Sequence, residues 1–242
     1  MKQLLLLFWI VPASLLITFI HSCWALIGSL FPGACFARTN RVIRCWSASL
    51  LRLIRLKYQT FNPYHVDFND GKQYIVMCNH TSVYDIPLSI IALDASVRMV
   101  AKKELSRIPI FGHAMQRNDF VFIDRKNRHQ AIKDLEAAAE KMRQGIVVWI
   151  APEGTRSRDG KLLPFKKGGF MMALQTGATI VPVGIRGAHE IAASKSLKVK
   201  MGLQAEVHIG KPIDTTEYKS AQREELMERV KLEIAEAAGL RA

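Results

Sequence analysis

The stretch Asn79-His80-Thr81-Ser82-Val83-Tyr84-Asp85 joins two segments with different sequence patterns. The residues before it, Tyr74–Cys78, form a short apolar run, which predicts a buried strand. Residues 86–93, which follow it, carry a proline in the first turn of a predicted helix, where a missing N–H costs nothing. The stretch is therefore a strand-to-helix corner.

His80 and Asp85 lie five positions apart within this corner. On one continuous helix their side chains would point about 140° apart, so they meet only if the chain bends between them. A carboxylate that binds an imidazole fixes its tautomer and stabilises its charged form, which makes the histidine a general base. The corner predicts such a pair, and a purely structural or solvated histidine is the alternative that this stretch alone leaves open.

Two other residues of the same region could act as nucleophiles. Cys78 precedes His80 by two positions, so on a strand the two side chains would share a face about 6–7 Å apart. That separation is too long for a hydrogen bond, and a small apolar thiol more often fills a core. A nucleophilic Cys78 is therefore disfavoured, and a nucleophilic Ser82 is disfavoured equally.

The charge balance indicates an anionic partner. The 242-residue chain has 34 lysines and arginines against 21 acidic residues, a formal net charge of +13. No acidic residue occurs before Asp67, so the basic excess begins beside the most apolar segment. This placement favours a membrane surface over nucleic acid, and no nucleic-acid-binding motif is found.

The cysteines and histidines indicate neither disulfides nor a metal site. The four cysteines form no C-x-x-C pair, so we expect reduced thiols in a domain that faces the cytosol. The seven histidines lack metal-ligand spacing. We therefore expect no metal site.

The N-terminal segment predicts embedding in a membrane. Residues 4–20 carry no charge, which fits a single transmembrane helix. Pro12 and Phe31-Pro32-Gly33 also fit a kinked or re-entrant helical pair, whereas a cleaved signal peptide would have a shorter apolar region. If the segment spans, the arginines after it place the following domain in the cytoplasm.

Residues 38–57 predict a basic amphipathic helix. One face carries arginines and the other carries apolar side chains, a pattern that suits either an interfacial helix on anionic lipid or a surface helix packed on the domain. The boundary at Phe61-Asn62-Pro63 divides the chain into membrane-embedded and interfacial helices, residues 1–58, and a catalytic domain, residues 59–242.

From that boundary onward the chain alternates predicted strands and helices. The pattern predicts an α/β fold with a mixed, mostly parallel sheet flanked by helices. Asn127 is a predicted helix cap, and Gly145 ends the same helix. The predicted strands cover residues 64–68, 74–78, 96–101, 119–123, 146–150, 179–185 and 205–209.

Charged and polar residues follow two of these strands at their carboxyl ends, where ligands bind in α/β sheets. After residues 146–150 comes a stretch in which Arg156 offers a planar fork for phosphate, Glu153 could order that arginine or a nearby loop, and Gly154 lets the backbone approach. A surface turn is the alternative. Arg125 follows another strand and could bind phosphate or pair with Asp124 or Glu136, and Lys102 with Lys103 could extend a basic rim.

Four ordered blocks of this sequence resemble the glycerolipid acyltransferase family, most of all its bacterial 1-acyl-sn-glycerol-3-phosphate acyltransferases. The resemblance covers nearly the whole chain, and Ala151 departs from it where the family often has an aromatic residue. The blocks are Asn79-His80-x-x-x-x-Asp85, Phe122-Ile123-Asp124-Arg125, Pro152-Glu153-Gly154-Thr155-Arg156-Ser157 and Val181-Pro182-Val183.

The resemblance implies the following chemistry. His80, held by Asp85, would take the proton from the free sn-2 hydroxyl of lysophosphatidate, and the oxygen would attack the thioester of acyl-CoA or acyl-carrier protein directly. The glycerol phosphate would be held by Arg156, Glu153, Gly154, Thr155 and Arg125. The product would be phosphatidate, made at the inner (cytoplasmic) membrane. The rival interpretations are an acyltransferase for another lysolipid, such as a lysophospholipid or a lyso-ornithine lipid, and a non-catalytic protein that binds anionic lipid.

Overall fold

The fold is built on a seven-stranded sheet flanked by helices on both faces. The computed structural model describes residues 2–30, 36–124, 127–194, 196 and 198–240. The strand order is β1-β7-β6-β2-β5-β3-β4, and every neighbouring pair is parallel except β6 and β7. The strands are β1 (Lys57–Phe61), β2 (Tyr74–Cys78), β3 (Val97–Lys102), β4 (Val121–Ile123), β5 (Val147–Ile150), β6 (Thr179–Arg186) and β7 (Gln204–Ile209). The predicted mixed, mostly parallel sheet is confirmed.

The helices cover the sheet on two sides. They are α1 (Lys2–Ser29), α2 (Phe36–Leu53), α3 (Asp85–Ala92), α4 (Phe111–Arg117), α5 (Arg128–Arg143), α6 (Lys167–Thr176), α7 (Ala188–Ile191) and α8 (Arg223–Ala237). The central strand β2 is buried at all five positions because both of its faces are covered. Asn127 caps α5 as predicted, its side chain accepting from the Gln130 backbone N–H.

One predicted strand is wrong. Residues 64–68 form turns and irregular backbone, while the strand lies earlier, at Lys57–Phe61. The side chain of Asn62 accepts from the Val66 N–H at 3.0 Å and donates to the Val66 carbonyl at 3.1 Å, which holds these residues in a loop. Because β1 is a largely exposed edge strand, no apolar run in the sequence indicates it. The predicted helix over residues 38–57 ends four residues early, at Leu53.

The apolar face of α2 packs against the rest of the protein. Ile43, Leu50 and, directly after the helix, Ile54 are buried, which favours the alternative of a surface helix packed on the domain. On the other side, Arg44 donates to the carbonyls of Ile90 and Leu93 at the end of α3. The side chains of Arg38, Arg41, Arg52 and Arg55 are exposed.

The N-terminal helix α1 is apolar on its outer side and packs on protein with its inner side. Its segment Phe8–Ser29 is long and apolar enough to cross a membrane, by length and composition. Trp9 and Trp24 are exposed, whereas Ile10 is buried. On the inner side, the Trp46 indole N–H of α2 donates to Thr18 Oγ at 3.1 Å. The predicted break at residues 31–33 lies outside the described residues.

Candidate active site

The corner between β2 and α3 brings His80 and Asp85 together, as the sequence predicts. The distance from His80 Nδ1 to Asp85 Oδ2 is 2.8 Å. The same carboxylate oxygen accepts from the backbone N–H groups of Thr81 at 2.7 Å and Ser82 at 2.8 Å. Asp85 is fully buried, at the first residue of α3. Three donors therefore fix this carboxylate in place.

This arrangement defines the tautomer of His80. An ionised carboxylate only accepts hydrogen bonds, so Nδ1 carries the proton that it shares with Asp85. In the neutral ring, Nε2 then has a free lone pair. The His80 side chain is 15% exposed and lines the cavity described below. Nε2 is thus the nitrogen left for a bound hydroxyl group.

The first residue of the stretch, Asn79, anchors the corner to the sheet. Its amide donates to the Ile185 carbonyl at 3.0 Å and its oxygen accepts from the Ile185 N–H at 2.8 Å. Because Asn79 is buried and both bonds go to the backbone of β6, it supports the corner and does not present a group to a ligand.

The stretch after β5 holds the backbone of His80 from both sides. Glu153 Oε1 accepts from the His80 N–H at 3.0 Å, and Oε2 accepts from the Leu163 N–H at 2.9 Å. The Ser157 N–H donates to the His80 carbonyl at 2.7 Å. Burial raises the pKa of Glu153, and the two backbone N–H groups oppose that shift. Glu153, predicted among the phosphate-binding residues, has both oxygens engaged with backbone, so any part it has in phosphate binding is indirect.

Trp149 of β5 contacts His80, which the sequence reasoning missed. The two rings meet at 83° with their centroids 5.7 Å apart. The indole N–H of Trp149 donates to Ser89 Oγ of α3 at 3.0 Å. A clue was present, since Trp149 is the one residue of its apolar run with a polar side-chain N–H, and a buried indole needs an acceptor.

A cavity of about 460 Å³ lies against these groups. His80, Gly154, Thr155 and Arg156 line it together, so the structure brings three of the predicted phosphate-binding residues to the imidazole. Gly154 has a φ of 73°, which favours glycine at this turn. Asp85 and Glu153 lie behind the lining, and Arg125 lies outside the described residues. Further lining residues come from β3, α1 and the region of α4: Lys102, Met99, Thr18, His21, Ser22, Phe111, Asn118 and Phe120.

The two disfavoured nucleophiles are both buried. Cys78 and Ser82 are fully buried. Burial raises the pKa of the Cys78 thiol well above its ordinary value, which disfavours the thiolate needed for attack. In the part of the chain that the structure describes, no three His, Cys, Asp or Glu side chains form a group that could hold a metal ion.

Comparison with known proteins identifies the family. The model of a family described as "Acyltransferase" matches residues 60–186, which is more than half of the chain. The chain belongs to this acyltransferase family. The matched residues include the corner and the stretch after β5, so the resemblance predicted from the four sequence blocks is confirmed.

Individual relatives agree with this assignment. A 1-acyl-sn-glycerol-3-phosphate acyltransferase of Cocos nucifera is 37% identical over 142 residues, which is 57% of this chain and 46% of that protein. The alpha enzyme of the same name from Homo sapiens is 30% identical over 176 residues, 72% of this chain and 61% of that protein. The chain thus spans about half the length of the curated relatives it matches.

A solved structure agrees over the full length. The crystal structure of the 1-acyl-sn-glycerophosphate acyltransferase PlsC from Thermotoga maritima superposes with a TM-score of 0.81 at 25% identity. The match covers 100% of this chain and 98% of that one, so it includes α1 and α2 as well as the sheet. The α/β fold with an N-terminal helical segment is therefore that of a known acyltransferase structure.

Proposed function

We propose that this acyltransferase transfers an acyl group from a thioester to the free sn-2 hydroxyl of lysophosphatidate, giving phosphatidate. The observation that carries the proposal is the His80–Asp85 pair at 2.8 Å beside a cavity that Arg156 also lines. The relatives named above act on a 1-acyl-glycerol phosphate by their names, which supports the same acceptor here. The acyl donor is acyl-CoA or acyl-carrier protein.

His80 is the general base in this proposal. Nε2 takes the hydroxyl proton of the acceptor while the oxygen attacks the thioester carbonyl. The tetrahedral intermediate collapses, the C–S bond breaks, and the imidazolium returns the proton to the leaving thiolate. Asp85 stabilises the imidazolium through Nδ1 and is not itself protonated. No acyl-enzyme forms, and the reaction needs no cofactor or metal.

The acceptor phosphate is bound by Arg156 together with the backbone at Gly154 and Thr155. A guanidinium binds phosphate through two parallel hydrogen bonds. The cavity lining places Arg156 and His80 on one surface, as an acceptor that carries both a phosphate and a hydroxyl requires. Lys102 lines the same cavity and adds positive charge, and Arg125 is a further phosphate ligand in this proposal. Glu153 contributes by holding the His80 backbone.

The protein works at a membrane in this proposal. Both the acceptor and the product are amphiphilic, and the outer side of α1 is apolar and exposed, with Phe8, Leu15 and Trp24 among its residues. We infer that α1 lies in the inner (cytoplasmic) membrane and that the sheet faces the cytoplasm, because the arginines that follow α1 favour that side.

The test is thiol release from a long-chain acyl thioester by the detergent-solubilised full chain, with and without lysophosphatidate. We expect acceptor-dependent release with the wild type and none with His80→Ala. His129→Ala is the matched control, since His129 is exposed on α5, and it should retain turnover.

Three other outcomes would contradict this function. Release without acceptor would indicate a thioesterase or an acyl-enzyme and would return attention to Cys78. Release only with another lysolipid would change the acceptor. No release with CoA or carrier-protein donors and several lysolipids would leave a protein that binds anionic lipid without catalysis.

A further inference from the structure

A buried cation joins the N-terminal helices to the sheet, away from the reacting groups. Arg98 lies on β3 and is 1% exposed. It forms no ion pair with any described residue. Burial lowers the pKa of its guanidinium to about 10, so it is still charged at neutral pH.

The guanidinium of Arg98 bridges α2 and the end of α4. Nε donates to the Asn118 carbonyl at 2.7 Å, and Nη1 donates to Asn40 Oδ1 at 2.9 Å and to the Val97 carbonyl at 3.0 Å. The guanidinium carbon lies 5.7 Å from the centroid of the Phe120 ring. The Arg98 side chain therefore contacts α2 at Asn40, the end of α4 at Asn118, and Phe120, the residue before β4.

Three further hydrogen bonds join the partners of Arg98 to their neighbours. We call this group the Arg98 network, and its members are Arg98, Thr39, Asn40, Ser96 and Asn118. The Thr39 hydroxyl donates to Asn118 Oδ1 at 2.8 Å, and the Asn40 amide donates to Ser96 Oγ at 2.7 Å. The Asn118 amide donates to the Ala114 carbonyl within α4 at 2.7 Å. Both Asn40 and Asn118 are thereby held in one orientation.

Burying the charge of Arg98 costs free energy, and the packing of its side chain does not account for why the charge is kept. Arg98 Nη2 is buried and finds no hydrogen-bond partner among the described residues. Asp119 attracts the charge of Arg98 but forms no direct ion pair with it. Burying a charge without a direct ion pair is unfavourable, and apolar residues of similar volume often replace buried ions without loss of stability. A role in fixing geometry accounts for the buried charge better than a role in stability.

The Arg98 network adjoins the wall of the cavity beside His80. Asn118 and Phe120 line the cavity, so the network holds part of its wall directly. It also holds the first turns of α2, and α2 in turn binds α1 through Trp46 and Thr18, two further lining residues. The spacing between the α1 wall and the β3–α4 wall thus depends on where the network places α2.

We propose that Arg98 is a positioning residue that sets the width of this cavity and thereby the acyl chains that the enzyme accepts. The specificity part of this inference rests on the proposed function, whereas the anchoring of α2 does not. The role is separate from the chemistry, because none of the network's side chains contacts His80 or Asp85 in the hydrogen bonds described.

The test compares Arg98→Met and Arg98→Lys with the wild type, using a series of saturated acyl-CoA donors of increasing length. For Arg98→Met we expect the ratio of kcat/KM between the longest and the shortest donor to change about tenfold, since small changes of apolar pocket shape alter discrimination by that order. The KM for lysophosphatidate should stay within twofold. Arg98→Lys should restore part of the wild-type ratio, because an ammonium can still donate to the Asn118 carbonyl.

Arg52→Met is the matched control, because Arg52 is an exposed arginine of α2, the helix that the network holds. It should leave the donor ratio unchanged. An unchanged ratio in Arg98→Met would overturn the specificity role, and an equal change in Arg52→Met would overturn it as well. If Arg98→Met does not fold, two substitutions at partly buried positions replace it. Asn40→Ala removes two hydrogen bonds of the network and Thr39→Val removes one, and both should shift the ratio in the same direction.

A second measurement does not depend on activity. Hydrogen exchange of the α2 backbone over residues 37–45 should become faster in Arg98→Met, and not in Arg52→Met. Unchanged exchange would overturn the anchoring role. A wild type that releases no thiol with any donor would instead overturn the proposed function and the specificity role, while the exchange result would still decide the anchoring.

Discussion

Asp85→Asn is expected to slow turnover about a thousandfold while leaving the corner folded. In the wild type one oxygen, Oδ2, accepts from His80 Nδ1 and from the N–H groups of Thr81 and Ser82. The two backbone donors need an acceptor, so the new amide should turn its oxygen toward them. The same oxygen then faces Nδ1, and the imidazole keeps the tautomer that leaves Nε2 free.

The magnitude follows from the lost charge. In the proposed mechanism His80 is neutral before proton transfer and cationic after it, so the Asp85 carboxylate would act mainly in the transition state. Two unit charges about 4 Å apart interact by about 4 kcal/mol at an effective dielectric constant of about 20. At about 1.36 kcal/mol per factor of ten, this interaction corresponds to roughly a thousandfold in rate. Asp85 is fully buried, so solvent does not screen it.

The assay is kcat at saturating acceptor for Asp85→Asn, Asp85→Ala and His80→Ala. Asp85→Ala leaves three donors without an acceptor and should fall to the His80→Ala background, whereas Asp85→Asn should stay measurably above it. In the asparagine variant the NH₂ group occupies the place of Oδ1, which is buried and finds no partner among the described residues. A buried NH₂ group without an acceptor is destabilising, so thermal unfolding is used to check that the variant is folded. Asp85→Asn turnover equal to the background, or equal to the wild type, would refute this reasoning.

Three further substitutions test the surroundings of His80. Glu153→Gln should lower kcat by about tenfold or more, because one backbone donor, of His80 or Leu163, would then face an NH₂ group; unchanged kcat would show that this contact is dispensable. Burial raises the pKa of Glu153 above its ordinary value of 4.5. Its contribution to the free energy of unfolding is therefore greatest below pH 4.5 and is lost as the pH rises through the folded-state pKa. In urea unfolding, Glu153→Gln should lack this decrease of the unfolding free energy with rising pH. Trp149→Phe should lower kcat several-fold through loss of the indole hydrogen bond while leaving the KM for lysophosphatidate unchanged, and a change in KM alone would contradict a role in orienting His80. Cys78→Ala should retain most activity, and complete loss in a folded variant would favour an acyl-enzyme.

The corner was predictable because its signals are local. A change from an apolar run to a helical pattern marks the bend, and five residues suffice to predict that His80 and Asp85 meet. The contact between Glu153 and the His80 N–H is not local, since 73 positions separate the two residues and only the adjacency of β2 and β5 joins them. Trp149 and Arg98 went unpredicted for the same reason.

The open alternative for α2 and the misplaced strand at residues 64–68 have a physical cause in what a sequence pattern reports. An apolar face indicates removal from water but does not distinguish lipid from protein, so the pattern of α2 was equally compatible with both. Strand β1 carries exposed residues at the sheet edge, so it lacks the alternation or apolar run that marks a strand. Pairing with β7, which no local signal reveals, determines its conformation.

The sheet and the N-terminal helix contribute different residues to the cavity region, and this has a consequence for how donor preference can change. His80 and Glu153 are fixed by the ends of two adjacent strands, whereas α1 supplies cavity-lining residues such as His21 and Ser22 from outside the sheet. If the proposed function holds, substitutions on the inner side of α1 alter the space for an acyl chain without moving His80 or Glu153. The N-terminal helix is accordingly the part of the chain to diversify when an altered lipid product is sought, since a library confined to its inner positions leaves the proton-transfer machinery intact.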